Sequence, residues 1–308
     1  MNDERLVFKS EDEGERLDIY LKGKLKEYSR SQIQKLIKSG NVLVNREEKN
    51  PRYKVKREDI IEVLIESEEE SDLKAENIDL DIIYEDDDLA VVFKPQGMVV
   101  HPANGNRENT LVNALLYHFD SLSDINDPEI RPGIVHRIDK DTSGILMIAK
   151  NNMAHKSLAR QLKDHTVVRK YIALVEGNIS EENGIIDSPI GRSRSDRKKM
   201  DIVEDGRRAI THYRVLERYE RNTLIEAKLE TGRTHQIRVH MKSINHPVVG
   251  DSTYGIKKQR FTLEGQLLHA ETIGFIHPRT GEYMEFNYPL PEYFKDLIEK
   301  LKKLSLKR

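Results

Sequence analysis

Asp139 is the residue of this chain whose type and setting are best suited to chemistry. It stands in a polar turn between the apolar pair 134–135 and the apolar run 145–149. Short apolar runs bounded by Gly and Pro are typical of buried strands, so the carboxylate is expected at the edge of a buried sheet. His136 and Arg137 precede it, and a carboxylate in such a place can act as a nucleophile or as a base.

Two other segments offer partners for this carboxylate. Arg233 lies in Thr-Gly-Arg-Thr-His-Gln-Ile-Arg-Val-His, after a predicted strand and just before a predicted helix, where a turn can aim it into a cleft. Tyr171 lies in a predicted strand whose alternation points its side chain into the core. Taken alone, each of the three residues is more often structural than catalytic. Together they favour a catalytic site, because a buried, ionised aspartate needs a nearby cation.

The elements that must position these residues are mostly strands. Strands are predicted at 89–93, 145–149, 167–175, 212–216, 223–229, 267–276 and 284–286. Helices are predicted near 110–119, at 151–163, near 235–243 and after Pro291. Because strands outnumber helices and the two alternate irregularly, we expect residues 78–308 to form one α+β domain with a mostly antiparallel sheet.

Residues 1–65 are predicted to form a small basic domain of two helices followed by strands near 42–44 and 60–65. From residue 16 to residue 57 there are 13 Lys and Arg against 4 Asp and Glu. The next 31 residues hold 15 acidic side chains against one Lys, and the segment 66–77 has the composition of a linker. This segregation of charge indicates a polyanion-binding module. Its candidate contacts are Arg16, Arg30, Lys35 and Lys38.

The string His-Arg-Ile-Asp-Lys-Asp-Thr-Ser-Gly, at 136–144, resembles the catalytic motif of the RluA-type RNA pseudouridine synthases. The strings around Tyr171 and Arg233 resemble the same family in the same order, and the similarity continues through 93–102, 246–251 and 274–278. Residues 1–65 resemble the α-L RNA-binding domain named after ribosomal small-subunit protein four. The resemblance implies a pseudouridine synthase fold with a central cleft, and isomerisation of uridine within RNA.

The resemblance also implies a role for each candidate residue. Asp139 is the essential carboxylate, Arg233 pairs with it, and Tyr171 lies against the target base and takes part in the late proton transfer. Arg137 fills the gap left by the flipped uridine or contacts its phosphate. No external reactant enters this isomerisation, so no cofactor is expected. Three routes remain open for Asp139, namely attack on C1′ of the ribose, addition to C6 of the base, and removal of the C2′ proton.

A second basic cluster lies in a loop at 192–199 that contains Gly and Ser. Its candidate RNA contacts are Arg192, Arg197, Lys198 and Lys199. The alternative for this cluster is a solvated loop without a ligand.

Composition and motifs exclude several other classes of protein. The chain has no cysteine, which excludes disulfides and cysteine-based zinc sites or nucleophiles. The histidines show no metal-ligand spacing, so no metal is expected. His-Arg-Ile-Asp carries one residue more than the kinase His-Arg-Asp motif, and no Gly-rich phosphate loop and no Gly-x-Ser-x-Gly is present. The polar N-terminus and the lack of about 20 consecutive apolar residues favour a cytoplasmic protein.

The RNA target is the least determined feature. The order of the domains and the sequences of the motifs favour large-subunit ribosomal RNA as the target, whereas relatives with a similar domain order act on transfer RNA. A non-catalytic RNA-binding factor in ribosome assembly is the alternative of a different class. No obligatory protein partner is evident.

Overall fold

The computed structural model describes residues 4–11, 13–25, 28, 30–65, 73–102, 108–124, 131–196 and 199–305. The chain divides into two compact units between Asp72 and Leu73, inside the segment predicted as a linker. The end of that segment nevertheless packs on the second unit. Leu73 contacts its hydrophobic core, and the amide of Asn113 donates to the carbonyl of Lys74 (2.8 Å).

The first unit is a four-stranded antiparallel sheet with two helices. Its elements are β1 (Glu4–Lys9), α1 (Leu17–Lys24), α2 (Arg30–Lys38), β2 (Val42–Val44), β3 (Glu47–Glu48) and β4 (Ile60–Ile65), in the strand order β1-β4-β2-β3. Ile33 and Ile37, one turn apart on α2, are buried with Leu17 and Leu21 of α1. The helices therefore turn their apolar stripes to the sheet and leave their basic side chains outside.

The second unit contains one large sheet and four helices in its described part. The strands are β5 (Asp81–Glu85), β6 (Leu89–Lys94), β7 (Ser143–Ala149), β8 (Val168–Glu176), β9 (Asn183–Asp187), β10 (Ile190–Arg192), β11 (Met200–Ile202), β12 (Ile210–Arg218), β13 (Asn222–Leu229), β14 (Leu268–Ile276) and β15 (Tyr283–Asn287). The helices are α3 (Leu111–His118), α4 (Asn152–Lys163), α5 (Gln236–Ser243) and α6 (Glu292–Ser305).

The large sheet has the strand order β5-β6-β7-β14-β8-β13-β12-β9, with β15 paired to β14, while β10 and β11 form a separate hairpin. Every neighbouring pair is antiparallel except β7 and β14. This architecture confirms the predicted α+β class with a mostly antiparallel sheet. No helix in the described ranges is both long and apolar enough to cross a membrane.

Both faces of the central strand β8 are buried, and its two faces belong to different cores. Tyr171 and Ala173 point to the core that includes α3 and α5, whereas Ile172 and Leu174 point to the core that includes α6. This period of two follows from the pleat of a strand. The side of β8 that carries Tyr171 is therefore the side on which α5 lies.

Gly144 lets the strand that follows Asp139 approach the centre of the sheet. Its φ is +135°, and a Cβ atom there would lie 2.4 Å from the carbonyl oxygen of Ala270 in β14. Only glycine accommodates both the backbone angle and this close approach. The parallel pairing of Ser143 with His269 and of Gly144 with Ala270 thus anchors the end of the Asp139 turn.

The seven strands and four helices predicted for the second unit are present, with small shifts at their ends. Strands β1, β3, β5, β9, β10 and β11 had not been predicted. They are short or rich in charged residues, and their side chains are largely exposed or half-buried. Their apolar patterns are too short to distinguish them from loops, and they form because a neighbouring strand offers hydrogen-bond partners.

Candidate active site

A buried lysine forms hydrogen bonds with the turn that carries Asp139. Lys94, at the end of β6, is fully buried, and its Nζ donates to the carbonyls of Pro95 (2.7 Å), Met98 (2.8 Å) and Lys140 (2.9 Å). Burial lowers the pKa of Lys94 to about 7, while the nearby charges of Asp141 and Asp139 oppose that shift. Three carbonyl acceptors match the three protons of an ammonium group, so the geometry favours the charged form.

Asp139 is clamped at one oxygen by an arginine that is shared with a second carboxylate. Arg238 of α5 donates from Nη1 to Oδ2 of Asp139 (2.8 Å), and from Nε (2.7 Å) and Nη2 (2.9 Å) to the two oxygens of Asp251. Asp251 is buried and also accepts from the backbone N–H groups of Thr253 and Tyr254. Burial alone would lower the pKa of Arg238, but the two carboxylates raise it above its ordinary value. Arg238 is therefore permanently charged.

The other oxygen of Asp139 is less constrained. No described residue donates a hydrogen bond to Oδ1, and Nε2 of His235 lies 3.8 Å from it. Asp139 lines a small open cavity of about 60 Å³. A carboxylate with one oxygen fixed and one exposed to a cavity is oriented to attack or to accept a proton.

His235 lies beside that oxygen and is held by a tyrosine. The phenol of Tyr254 accepts a hydrogen bond from the N–H of Met200 (2.8 Å) and forms a second hydrogen bond with Nδ1 of His235 (2.8 Å). Burial lowers the pKa of His235, against the opposing charge of Asp139, so the ring is neutral at pH 7. His235 also has a left-handed backbone (φ +57°), a strained conformation of the kind found at functional sites.

Tyr171 forms another wall of the same cavity. It is buried on β8, opposite Ala227 of β13 and Ala270 of β14, and these small side chains leave room beside its ring. Burial raises the pKa of Tyr171, and Asp139 adds to this rise while Arg169 opposes it. The phenol therefore stays protonated at neutral pH and can give or relay a proton.

The pairing expected for Arg233 is wrong. Arg233 lines the cavity, but its Nε donates to the carbonyl of Arg208 (2.9 Å), and the cation on Asp139 is Arg238, five residues later. The sequence alone did not single out Arg238, because the burial of α5, where an arginine is rarely found without an acidic partner, is visible only in the structure. The left-handed turn at His235 redirects the chain between the two arginines, which spacing alone does not show.

The predicted RNA contacts of the second unit fall into two groups. Arg137 is exposed and lines the cavity beside Asp139. Lys199 and Arg192 belong to the β10–β11 hairpin region and do not line that cavity, and Lys199 is 3.8 Å from Asp196. Arg197 and Lys198 lie outside the described residues.

The predicted contacts of the first unit are organised by one buried carboxylate. Asp18 accepts from Nε and Nη2 of Arg16 (2.9 and 3.0 Å), from Nε of Arg30 (3.0 Å) and from the amide of Gln34 (2.6 Å). Burial would raise the pKa of Asp18, but these hydrogen bonds lower it to about 2. The two guanidinium groups are thereby fixed at the surface. Lys35 and Lys38 are exposed on α2.

Among the described residues, one group has the spacing of a metal site: Asp86, Asp88 and His277. It lies at the end of β6 remote from Lys94. Asp88 is held by two 2.6 Å hydrogen bonds from Arg279, and Nδ1 of His277 accepts from the N–H groups of Arg279 and Thr280. Its ligand atoms are thus already engaged in joining two turns of the sheet.

Comparisons with known proteins give this geometry its context. The sequence profile described as RNA pseudouridylate synthase matches residues 88–243, which include Asp139, Tyr171 and Arg238. The S4 domain profile matches residues 15–61. The chain is 52% identical over 303 residues to the uncharacterized RNA pseudouridine synthase YlyB of Bacillus subtilis strain 168, covering 98% of this chain and 99% of that protein. This chain belongs to the RNA pseudouridine synthase family.

Two further relatives extend the comparison. The synthase is 45% identical over 313 residues to a protein of Zymomonas mobilis named ribosomal large subunit pseudouridine synthase D, covering 98% of each chain. The solved structure of human RNA Pseudouridylate Synthase Domain Containing 1 has a TM-score of 0.59 and 28% identity, covering 74% of this chain and 96% of that one. The enzyme class is therefore an isomerase that acts on RNA, and its first unit is an S4 domain.

Replacing Arg238 by lysine tests the clamp on Asp139. Lysine keeps the charge beside buried Asp251 but cannot bridge two carboxylates, so we expect a folded synthase whose single-turnover isomerisation is roughly 100-fold slower. Arg233→Lys should cost less, because Arg233 does not contact Asp139. A larger loss in Arg233→Lys than in Arg238→Lys would contradict the pairing seen here.

Replacing His235 by asparagine separates the contribution of its Nε2 from that of its backbone conformation. Asparagine tolerates a left-handed backbone and can form a hydrogen bond with Tyr254, but it has no group in the place of Nε2. We expect an unchanged denaturation midpoint and a single-turnover rate about tenfold lower, in the range of one lost hydrogen-bond contact. His235→Ala should lose stability as well. A wild-type rate in His235→Asn would remove His235 from the chemistry.

Proposed function

We propose that this synthase isomerises specific uridines of large-subunit ribosomal RNA in the cytoplasm, with Asp139 as its essential carboxylate. The observation that carries the proposal is the asymmetric environment of Asp139, whose Oδ2 is fixed by Arg238 while Oδ1 accepts no hydrogen bond from a described residue, beside the cavity that Asp139 and Tyr171 line. This arrangement supplies one ionised carboxylate oxygen, which is what every plausible route of the reaction requires.

The isomerisation breaks the bond from C1′ to N1 of uracil and forms a bond from C1′ to C5. The proton of C5 is released, N1 gains a proton, and no oxidant or reductant is consumed. Asp139 starts the reaction through Oδ1, by attack on C1′, by addition to C6, or by removal of the C2′ proton. Arg238 holds Oδ2 of this carboxylate, and Lys94 holds the turn that carries it.

The other cavity residues have complementary roles in this proposal. Tyr171 lies against the base and relays the proton that leaves C5. Arg137, exposed at the cavity, takes the space that the flipped uridine vacates or holds its phosphate, which offsets the few kcal/mol that unstacking costs. Arg233 forms a wall of the cavity without touching Asp139.

The choice of large-subunit ribosomal RNA rests on relatives that match nearly the full length. Proteins named ribosomal large subunit pseudouridine synthase D are 41–45% identical to this chain and cover 94–98% of it. The S4 domain offers the exposed cations of α2 and the Asp18-held arginines for backbone contacts, which position RNA without reading its sequence. The basic hairpin region at 192–199 would add such contacts.

Pseudouridine mapping with wild type and Asp139→Asn tests the proposal. Purified protein is incubated with ribosomal and transfer RNA transcripts, and pseudouridines are located by carbodiimide adduct formation and primer extension. We expect new stops in a large-subunit ribosomal transcript with wild type and none with Asp139→Asn, whose amide cannot act as a carboxylate but should bind RNA equally well. Stops confined to transfer RNA would overturn the target, and equal stops with both proteins would overturn the role of Asp139.

A further inference from the structure

Arg169 is a buried cation that forms no ion pair with a described residue. It lies on β8, two residues before Tyr171, and its residue surface is only 8% exposed. Its Nε makes no hydrogen bond, its Nη2 reaches the carbonyl of Glu230 at 3.5 Å, and no carboxylate of the described residues forms an ion pair with it. A buried charge is costly unless a counter-ion compensates it.

The cavity around Arg169 is strongly positive. An open cleft of about 440 Å³ adjoins the Asp139 site, and its lining contains four cations and a single carboxylate. The cations are Arg137, Lys163, Arg169 and Arg233, and the carboxylate is Asp139. Burial lowers the pKa of Arg169, and the charge of Arg233 lowers it further, so the two guanidinium groups repel each other. Such an arrangement attracts an anion.

The local backbone is shaped to admit this guanidinium. A Cβ atom on Gly232 would lie 2.5 Å from Nη1 of Arg169, so the absence of a side chain there leaves the space that the guanidinium fills. Arg233 follows directly, and with its Nε bound to the carbonyl of Arg208 its Nη groups remain available to a ligand. Both arginines are thus placed by the chain before any ligand arrives.

We propose that Arg169 and Arg233 form a subsite for an RNA backbone phosphate next to the uridine held at Asp139. The inference rests on the proposed function, since it takes the cavity at Asp139 as the uridine site. Arg169 and Tyr171 point to the same side of β8 and are two residues, or about 7 Å, apart along the strand. One nucleotide spans such a distance, so a base beside Tyr171 brings a phosphate to Arg169. The subsite also gives Arg233 a role that does not involve Asp139.

The test compares Arg169→Met with Lys170→Met, both in an Asp139→Asn background that binds without turnover. Lys170 is the next residue of β8 and points to the opposite face, near Glu271, so its replacement removes the same charge outside the cleft. The probe is the transcript in which wild type forms pseudouridine, and its affinity is measured against salt. Arg169→Met should bind at least about tenfold more weakly at low salt and flatten the log–log slope by about 0.7–0.9. Lys170→Met should leave that slope unchanged.

A second measurement uses inorganic phosphate and needs no RNA activity. Phosphate, compared with chloride at equal ionic strength, should raise the melting temperature of wild type and Lys170→Met, but not of Arg169→Met. Arg169→Met without ligand should be as stable as wild type or more stable, because it removes an uncompensated buried charge. Arg169→Lys, which keeps the charge, should retain part of both the salt slope and the phosphate response.

The contradictory outcomes are distinct. An Arg169→Met protein that unfolds would show that the guanidinium stabilises the free protein and would overturn the subsite. Arg169→Met could instead lower the isomerisation rate of the protein with native Asp139 and leave its RNA affinity and salt slope unchanged. That result would mean that Arg169 acts on the phenol of Tyr171 and not on a phosphate. A phosphate response without any effect on RNA binding would overturn the RNA assignment. Failure of wild type to form pseudouridine would instead count against the proposed function, and the phosphate measurement would still test the anion subsite.

Discussion

The bridge from Asp251 through Arg238 to Asp139 is the interaction on which the site depends. Asp251 is buried and takes two hydrogen bonds from Arg238, which leaves Nη1 of the guanidinium for Oδ2 of Asp139. The planar guanidinium fixes the orientation of the Asp139 carboxylate, because its donors lie in one rigid plane. Removing either acid would alter the other, since both share one cation.

The sheet supplies the second half of this arrangement. Lys94 stabilises the Asp139 turn through three hydrogen bonds to backbone carbonyls. Gly144 allows β7 to approach β14 closely at the end of this turn. The site is thus enclosed by cations that differ in their partners. Lys94 binds carbonyls and Arg238 binds carboxylates, whereas Arg169 has no compensating anion of its own. Asp139 is thus held by Arg238 of the protein itself, whereas the buried charge of Arg169 is compensated only when the substrate binds.

The sequence predicted what depends on regular patterns and missed what depends on orientation. The long apolar runs of β6, β7, β8, β13 and β14 identified the sheet, and the polar turn before β7 identified Asp139. The choice between Arg233 and Arg238 could not be made, because it depends on the left-handed turn at His235 and on the direction of α5. Arg169 shared the alternation that pointed Tyr171 inward, yet its lack of a partner is visible only once the surrounding strands are in place. The division of the chain falls inside the predicted linker, and Leu73, the one large apolar residue of 66–77, packs on the core of the second unit, which composition alone does not show.

A double-mutant cycle between Asp251→Asn and Arg238→Lys tests the bridge most directly. Single-turnover isomerisation would be measured for wild type, both single variants and the double variant, with folding checked by denaturation. If Asp251 acts through Arg238, Asp251→Asn should slow the reaction although it lies outside the cavity, and the double variant should be little slower than Arg238→Lys alone. Fully multiplicative effects, or a wild-type rate in Asp251→Asn, would contradict the account.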